Sequence, residues 1–464
     1  MGGELGWNLL LVRDFRRVVS LHTLPNACLS GTISSVGAFG KWNASYVIAP
    51  YGNPMFWRRD ATETRRVRLD ESEEFLQVIC TGFNLDRRTA QRFFYDDPYF
   101  EVNQRWGLWL RHWSEWKLVS VLTAVPLTIR IGSRAVSCYG ISGVTTLPEY
   151  RRRGLASALL RAVVDALRAE GAPLAILQAF DHKFYRKHGW ETVSYLPQIR
   201  LAPAQLPRYD APPLRRAYPD DHEAVMRLYD ACGARYTGSL VRDERRWEYL
   251  FWNLPNLWVV DGQGGIEGYL FYDFVDSGWT LRVREIVWRT EQARRALIGW
   301  LAVNEESVKA IEFNLPLEAW QRLGISGWQS PPSDPHTPIY TIQVLPQLMA
   351  RPVSCRALLE TLLAEMPAPD GFQPFTLAVR NGNSGDGETL SLTVQGGALV
   401  VGDAQPDLFT LTLTPQTLAL LAFGTFSVPE LHARRMLHAP DAVLHALELL
   451  FPERRPALTP IDYF

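Results

Sequence analysis

Apolar residues alternate between strand and helix patterns along most of the chain. Between residues 65 and 205, β-branched and apolar runs at 117–131 and 135–147 predict two long strands. Apolar residues then recur at helical spacing, which predicts a helix with one buried face through Leu155, Leu159, Val163 and Leu167. A further apolar run at 173–180 predicts a buried strand. This order of elements predicts an α/β domain at 65–205.

Residues 206–350 repeat that order in a weaker form. A strand, an acidic cap and an amphipathic helix at 214–232 precede a hairpin pattern at 257–275. The next strand-to-helix junction, WRTEQARRA, contains no glycine. We therefore interpret 206–350 as a degenerate second copy of the first domain.

The two ends of the chain differ from these copies. Residues 351–464 carry a leucine-rich helix, strand patterns and an apolar helix with Thr414 as N-cap and Pro415 as its first residue. Residues 1–54 have no clean period. We expect residues 1–64 to form an N-terminal extension that is poorly ordered or, given Met55, not translated.

Composition excludes several classes of protein. Apolar residues make up 47% of the chain and charged residues 21%, which is typical of a globular protein, and the net charge of −1 gives no basic coat for nucleic acid or a membrane surface. The five cysteines form no CxxC pair, so we expect a reducing cytoplasm, and the nine histidines show no HxxxH spacing, so we expect no metal. No apolar run approaches the roughly 20 residues of a membrane span.

The segment PEYRRRGLASALL, residues 148–160, holds the clearest candidate chemistry. Gly154 lets the backbone approach a ligand, and the helix that follows begins with unpaired N–H groups that suit a phosphate. Flanking arginines add charge-assisted hydrogen bonds. The hexapeptide alone is equally compatible with a solvated charge run before an ordinary helix.

Its context, between a strand and an amphipathic helix and with FYRKHGW downstream, resembles the acetyl-CoA site of the GCN5-related N-acetyltransferases (GNAT). In that family the strand before the loop separates from its neighbour. The resemblance implies that backbone groups there hold the pantetheine arm of acetyl-CoA and that the loop holds its pyrophosphate. The cofactor-binding residues it implies are Val144, Thr145, Thr146, Arg152, Arg153, Gly154, Leu155, Ala156, Ser157, Phe180 and Asp181.

Residues 65–464 resemble one branch of the family, the enhanced-intracellular-survival (Eis) acetyltransferases. That branch implies an α/β (α+β) fold of tandem GNAT domains, the second degenerate, at 65–205 and 206–350, followed by a sterol-carrier-protein-like domain at 351–464. It also implies that Tyr185 is the general acid and that the C-terminal carboxylate, here that of Phe464, is the general base. Some relatives have an acidic penultimate residue, whereas this chain has Tyr463.

The substrate and assembly expectations also follow from the branch. Its members acetylate aminoglycosides and other primary amines, and relatives assemble as hexamers, so we expect a homo-oligomer. A polyamine-like substrate needs acidic and aromatic walls. The segment FNLDRRTAQRFFYDDPYF offers Phe83, Asp86, Asp96 and Asp97 as candidates, although a surface loop with scattered charges has the same composition.

Two other functions stay open from the sequence. N-myristoyltransferases also use a C-terminal carboxylate and two such domains, but they need a long acyl slot and lack a sterol-carrier-like domain. A non-catalytic module that senses acyl-CoA or a lipid would account for the third domain. The loop and Tyr185 together favour the enzyme.

Overall fold

The computed structural model describes residues 61–464, apart from 97–98, 100, 113, 255, 304–307, 325–340 and 382–386. Residues 1–60 of the expected extension and the candidate Asp97 lie outside the described residues. The first strand begins at Thr62, where it pairs with Leu110. Regular structure therefore starts inside the segment that we expected to be an extension, because three residues before position 65 take part in a strand ladder.

The strands are numbered in chain order. They are β1 Thr62–Arg66, β2 Arg105–His112, β3 Glu115–Ile131, β4 Arg134–Thr146, β5 Leu174–Gln178, β6 Glu191–Thr192, β7 Tyr195–Leu201, β8 Arg215–Arg216, β9 Leu257–Gly262, β10 Gly265–Val275, β11 Thr280–Trp288, β12 Ala310–Asn314, β13 Thr341–Pro346, β14 Leu348–Pro352, β15 Phe375–Arg380, β16 Gly387–Gln395, β17 Ala398–Asp403 and β18 Thr410–Leu413.

The helices are numbered in the same way. They are α1 Ser72–Phe83, α2 Arg87–Phe94, α3 Leu155–Ala169, α4 His182–Arg186, α5 His222–Leu228, α6 Glu244–Asn253, α7 Glu291–Ala302, α8 Leu317–Leu323, α9 Cys355–Leu363, α10 Pro415–Phe423, α11 Val428–Ala433 and α12 Asp441–Leu450. A short 3₁₀ helix, Pro460–Asp462, lies just before the end of the chain.

Two seven-stranded sheets share one topology. Their strand orders are β1-β2-β3-β4-β5-β14-β6 and β8-β9-β10-β11-β12-β7-β13. In each sheet an antiparallel meander leads to one parallel pair, β4 with β5 and β11 with β12. The sheets also exchange strands near the predicted boundaries, since β7 lies in the second sheet and β14 in the first. The boundary predicted at 205 therefore falls just after β7, a strand of the second sheet, whereas the boundary predicted at 350 falls within β14, a strand of the first sheet.

The third domain covers one face of the first sheet. Its four-stranded sheet, β17-β16-β15-β18, and its helices share one apolar core with Leu174 and Ile176 of β5. The alternate β5 residues, Ala175 and Leu177, pack in a different core together with α3. A strand buried on both faces is expected where helices cover both sides of a parallel pair.

Local sequence signals account for the ends of the main helices. Gly154 begins α3 with a φ of 78°, and Gly171 follows its last turn with a φ of 78°, as a left-handed C′ glycine does. The Thr414 side chain accepts a hydrogen bond from the backbone N–H of Thr417 and thereby caps α10, as its sequence predicts.

Candidate active site

An opening between β4 and β5 forms the centre of the first domain. The two strands pair in parallel from Cys138 opposite Leu174 to Gly140 opposite Ile176, and no pairing between them continues beyond that point in the described residues. β4 nevertheless runs on to Thr146. The far half of β4 therefore has one backbone edge that β5 does not pair with.

A β-bulge turns β4 where it leaves β5. Val121 of β3 pairs with Thr145 and Thr123 pairs with Ser142, so one extra residue of β4 lies between the two pairs. Gly143 in this bulge has a φ of 63°, and an added Cβ would lie 2.6 Å from a ring carbon of Phe94. Both facts require glycine.

The side chains of the two threonines after Val144 face inwards. The Thr145 side chain packs against α1, where a Cβ added to Gly82 would lie 2.2 Å from its Oγ1 atom. The Thr146 hydroxyl lies 2.8 Å from the Ser120 hydroxyl of β3. Their carbonyl groups are engaged as well, that of Thr145 by the Ser120 hydroxyl at 2.9 Å and that of Thr146 by Arg151.

The three arginines of the loop divide into two roles. Arg151 ties the loop to the domain, since its guanidinium donates to the carbonyls of Thr146 at 3.0 Å and Gly82 at 2.6 Å. Arg152 and Arg153 are exposed. Gly154 supplies no side-chain cap, and an added Cβ there would meet nothing within 4 Å. The first turn of α3 thus combines N–H groups that no side chain caps with two exposed cations, an arrangement that suits an anion.

The side chains of this turn serve different purposes. Leu155 packs in the core of the first domain, so its contribution to a ligand is limited to its backbone N–H group. Ala156 and Ser157 are half-buried. The Ser157 hydroxyl lies 3.0 Å from Nε2 of His188, which links the loop to the segment after α4.

Tyr185 lies on α4, directly after the end of β5. Asp181 caps this short helix by accepting hydrogen bonds from the backbone N–H groups of Lys183 and Phe184. The Tyr185 ring makes edge contacts with Phe180 and Phe184, and the side chain is 2% exposed. Burial, with a smaller effect of the Asp181 charge, raises the pKa of the Tyr185 phenol well above its ordinary value. The phenol therefore carries its proton at neutral pH, which a proton donor requires.

Two half-buried histidines flank Tyr185. His182 lies 2.9 Å from the Thr192 hydroxyl, and His188 bonds to Ser157 as described above. Burial is the largest cause of the lowered pKa of both imidazoles, followed by nearby arginines. Each imidazole is thus held by a hydroxyl group, His182 by Thr192 and His188 by Ser157.

The end of the chain lies across β4 at the opening. The Ser142 hydroxyl donates a hydrogen bond of 3.3 Å to the main-chain oxygen of Phe464. The Phe464 ring covers Gly140, where an added Cβ would lie 2.5 Å from a ring carbon. The third domain thus returns its last residue to the strand that leads into the phosphate-type loop, 322 positions from Ser142 in sequence.

Buried arginines of the second domain bind the last residues of the chain, 459–464, which we call the tail. Arg242 forms hydrogen bonds with both carboxylate oxygens of Asp462, each at 2.8 Å, and with the Glu285 carboxylate at 3.0 and 2.6 Å. Arg246 donates to the carbonyls of Ile461 at 2.6 Å and Tyr463 at 3.1 Å. Both arginines lie in the segment VRDERRW, which has the composition of a solvated charge run. The sequence therefore did not reveal that they bind the tail.

The corresponding opening of the second domain is almost closed. β11 and β12 pair only as far as Val283 opposite Phe313, and the cavity beyond has a volume of about 30 Å³. Thr459 of the tail contributes to its lining. The Thr290 hydroxyl accepts a hydrogen bond from the N–H of Ala293 and caps α7, whereas the equivalent turn of the first domain has Gly154. The strands of the second domain therefore also separate, but almost no space is left between them and the helix turn that follows is capped.

The candidate substrate residues that the structure describes, Phe83, Asp86 and Asp96, do not form one acidic wall. Asp86 caps α2 by accepting hydrogen bonds from the backbone N–H and hydroxyl of Thr89, and the hydroxyl contributes most to its lowered pKa. Asp96 lies beyond the other end of α2 and lines a cleft against the second domain. Phe83 ends α1 and packs on the core of the first domain.

Two further observations concern the described residues as a whole. No group of three or more His, Cys, Asp and Glu side chains arranged to hold a metal ion occurs among them. None of the helices they form combines the length and the apolar character needed to cross a bilayer.

Comparisons with known proteins identify each domain. Residues 63–193 match an acetyltransferase (GNAT) domain model, residues 238–327 match a second acetyltransferase (GNAT) model, and residues 359–459 match a sterol carrier protein domain. An uncharacterized N-acetyltransferase of Streptomyces griseus subsp. griseus is 25% identical over 301 residues, which cover 55% of this chain and 69% of the relative.

Solved structures share the fold of the chain. A probable N-acyltransferase of Enterococcus faecalis V583 has a TM-score of 0.70 at 21% identity, covering 87% of this chain and 100% of that one. Eis1 of Mycobacterium abscessus has a TM-score of 0.61 at 18% identity with the same coverage. The expected fold class is confirmed: two GNAT domains precede a sterol-carrier-like domain. The two acetyltransferase (GNAT) domain matches and the N-acetyltransferase relative support an acyltransferase activity.

Proposed function

We propose that the chain is an Eis-type enzyme that transfers an acetyl group from acetyl-CoA to a primary amine, with Tyr185 as general acid and the Phe464 carboxylate as general base. One observation carries this proposal. The end of the chain lies on β4 at the opening, where Ser142 donates a hydrogen bond to Phe464. Arg242 and Arg246 bind the residues just before it.

The residues around the opening fit acetyl-CoA. The edge of β4 that β5 leaves unpaired, around Val144, suits the amide groups of a pantetheine arm. The uncapped first turn of α3, with Arg152 and Arg153, suits a pyrophosphate. Phe180, which is 59% exposed, lies after β5 on the other side of the opening. Bound acetyl-CoA would supply an acetyl thioester.

The chain's own residues would handle the two protons of the transfer. As the new N–C bond forms, the amine nitrogen becomes acidic, and the Phe464 carboxylate is available to accept its proton. As the C–S bond breaks, the Tyr185 phenol is available to protonate the departing sulfur. A free terminal carboxylate has a pKa of about 3.5, which makes it a weak base, so a relaying water or a dry surrounding would assist it.

The acceptor is proposed as an amine of the aminoglycoside, polyamine or lysine type. Phe83, Asp86 and Asp96 border the region around α2 through which such an amine would enter. We further propose a homo-oligomer that works in the cytoplasm. The alternative is a module that binds acyl-CoA or a lipid without turnover, which the sterol-carrier-like domain favours.

A thiol-release assay with an aminoglycoside, a polyamine and a lysine peptide tests the proposal. We expect turnover by the parent protein. Tyr185→Phe should reduce kcat by roughly 10²- to 10⁴-fold, because it removes the proton donor and leaves the aromatic packing. Tyr195→Phe, at a position 42% exposed on β7, is the control and should retain activity.

Binding measurements separate the two functions. Acetyl-CoA affinity measured by calorimetry should be the same for the parent and Tyr185→Phe. Tight binding of acetyl-CoA without turnover of any amine would favour the sensing module. Full activity of Tyr185→Phe would refute the role of Tyr185 as general acid.

A further inference from the structure

A cleft of about 660 Å³ separates α2 from the second domain. Arg88, Arg92 and Asp96 line it on the side of the first domain. Tyr249 and Asn253 of α6, together with Asp273, Arg284 and Ile461, line it on the other side. A cavity of this size is ordinary for a small-molecule site.

Arg284 reaches this cleft from a β-bulge. Phe271 of β10 pairs with Glu285 and Tyr272 pairs with Val283, so Arg284 is the extra residue of β11 and has no partner on β10. A bulge redirects the side chain of the extra residue and is common next to active sites. On its other side, β11 pairs with β12 only as far as Val283.

The charge of Arg284 is only loosely compensated. Its neighbour Arg282 takes both oxygens of Asp273, at 2.8 and 2.5 Å, whereas Arg284 Nη1 lies 3.8 Å from the same carboxylate. The Arg284 side chain is 3% exposed, and its Nε has no hydrogen-bond partner among the described residues. Burial, followed by the Arg282 charge, lowers the pKa of Arg284 to about 10, so the guanidinium is still charged at neutral pH.

A buried guanidinium without a close anionic partner would be stabilised by a bound anion. Two arginines and one carboxylate meet at this point, and the carboxylate is already engaged by Arg282. A buried charge without a close partner is costly, and a carboxylate matches the fork of guanidinium donors. Arg88 and Arg92 on the facing helix add positive charge to the same cleft.

The cleft also reaches the end of the chain. Ile461 lines it, and Phe464 lies three residues further along the tail. The 3₁₀ helix Pro460–Asp462 packs on β11, the strand that carries Arg284. The Tyr463 phenol is near enough to Arg284 to influence its pKa. The cleft therefore reaches the tail three residues before the residue that we assign as the base.

We propose that Arg284 binds a carboxylate of the acceptor, so that the acceptor is an amine that carries an acidic group, such as an amino acid or a peptide end. This inference rests on the proposed acetyl transfer to an amine. It differs from the expectation of a polyamine substrate for two reasons. Asp86 is engaged as a helix cap. The cleft is lined by three arginines but by only two aspartates, of which Asp273 is already paired with Arg282.

Matched acceptors test the site. ε-Aminocaproate and ε-aminocaproamide have the same amine and chain length and differ in the charge of the far end. We expect the parent to have a lower KM for the acid. Arg284→Met should raise that KM by roughly 10- to 100-fold, the effect of losing a charged hydrogen bond, and leave the KM for the amide little changed. Arg284→Lys should restore part of the difference.

Arg289→Met is the control, since Arg289 is an exposed arginine just after β11. Its KM for both acceptors should match the parent. Equal use of acid and amide by the parent would overturn the site. An equal loss for both acceptors in Arg284→Met would also overturn it, because Arg284 would then act on the tail rather than on the acceptor.

Calorimetry of the CoA-loaded protein separates this inference from the proposed function. Preferential binding of ε-aminocaproate by the parent, lost in Arg284→Met, would support the site even if no amine were acetylated. Absence of any binding preference for the acid over the amide would overturn the site even if amines were acetylated.

Discussion

Arg242 has no solvent exposure and lies between two carboxylates that come from different parts of the chain. Asp462 belongs to the tail and Glu285 to β11. The Arg242 guanidinium also stacks over the Tyr229 ring at 3.8 Å. A buried charge pair of this kind adds little net stability over apolar packing, but removing one partner is costly. Its value is therefore in fixing where the tail lies.

Replacing this arginine should release the tail. Arg242→Met leaves Asp462 and Glu285 buried without their shared partner, so we expect a loss of about 3–5 kcal/mol in the free energy of unfolding. Urea denaturation checks the stability, and thiol release should fall because the Phe464 carboxylate is no longer held. Acetyl-CoA binding should persist, since its proposed site lies in the first domain.

The matched control is an exposed pair on α5, where Arg227 bonds to Glu223. Arg227→Met should cost less than about 1 kcal/mol, because water screens such pairs. If Arg242→Met were as mild as the control and kept full activity, the assignment of Arg242 as the residue that positions the tail would be wrong.

Sequence patterns revealed some of these residues and missed others for a physical reason. Tyr185 and the Arg152–Ser157 loop lie in short local motifs, so they could be proposed from the sequence. Arg242 and its partner Asp462 are 220 positions apart. Nothing local distinguishes a buried arginine in VRDERRW from a solvated one, because its burial depends on a tail that folds back from the third domain.

At the scale of the element, β4 defines the site through its bulge and its separation from β5. Gly143 allows the bulge by its positive φ and by its lack of a Cβ beside Phe94. The strand pattern at 135–147 predicted β4 itself. It could not predict the bulge, because one extra residue changes the register with β3 without interrupting the apolar run.

Gly143→Ala should damage this element. The added Cβ would clash with the Phe94 ring and strain the backbone, so we expect a loss of about 1–3 kcal/mol in the free energy of unfolding, together with weaker acetyl-CoA binding by calorimetry. Gly264→Ala is the control, since a Cβ there meets nothing within 4 Å. Unchanged acetyl-CoA affinity in Gly143→Ala would show that the bulge is not needed for acetyl-CoA binding.

The exchange of β7 and β14 shows the limit of local patterns at this scale. Both strands were compatible with either neighbouring sheet, and a strand's own sequence does not identify its partner. Tyr195–Leu201 pairs with β12 and β13, and Leu348–Pro352 pairs with β5 and β6. The order of the domains was predictable because each domain has a recognisable series of strands and helices. The exchange of β7 and β14 between the two sheets was not predictable.

At the scale of the whole molecule, three domains contribute to one place. The first supplies β4, the loop and Tyr185, the second supplies Arg242 and Arg246, and the third carries the chain back to Ser142. The second domain has a sheet of the same topology, and Thr459 of the tail lines the small cavity that remains at its opening. Its function in this account is to hold the terminus rather than to bind a cofactor.

The most direct test of this account is thiol release by the parent protein and by a variant with a few glycine and serine residues added after Phe464. The extension moves the carboxylate away and leaves every side chain in the chain unchanged. We predict that the parent turns over an amine acceptor, and that the extended protein loses turnover while it binds acetyl-CoA with the affinity of the parent. Equal turnover by both proteins would contradict the terminal carboxylate as the base.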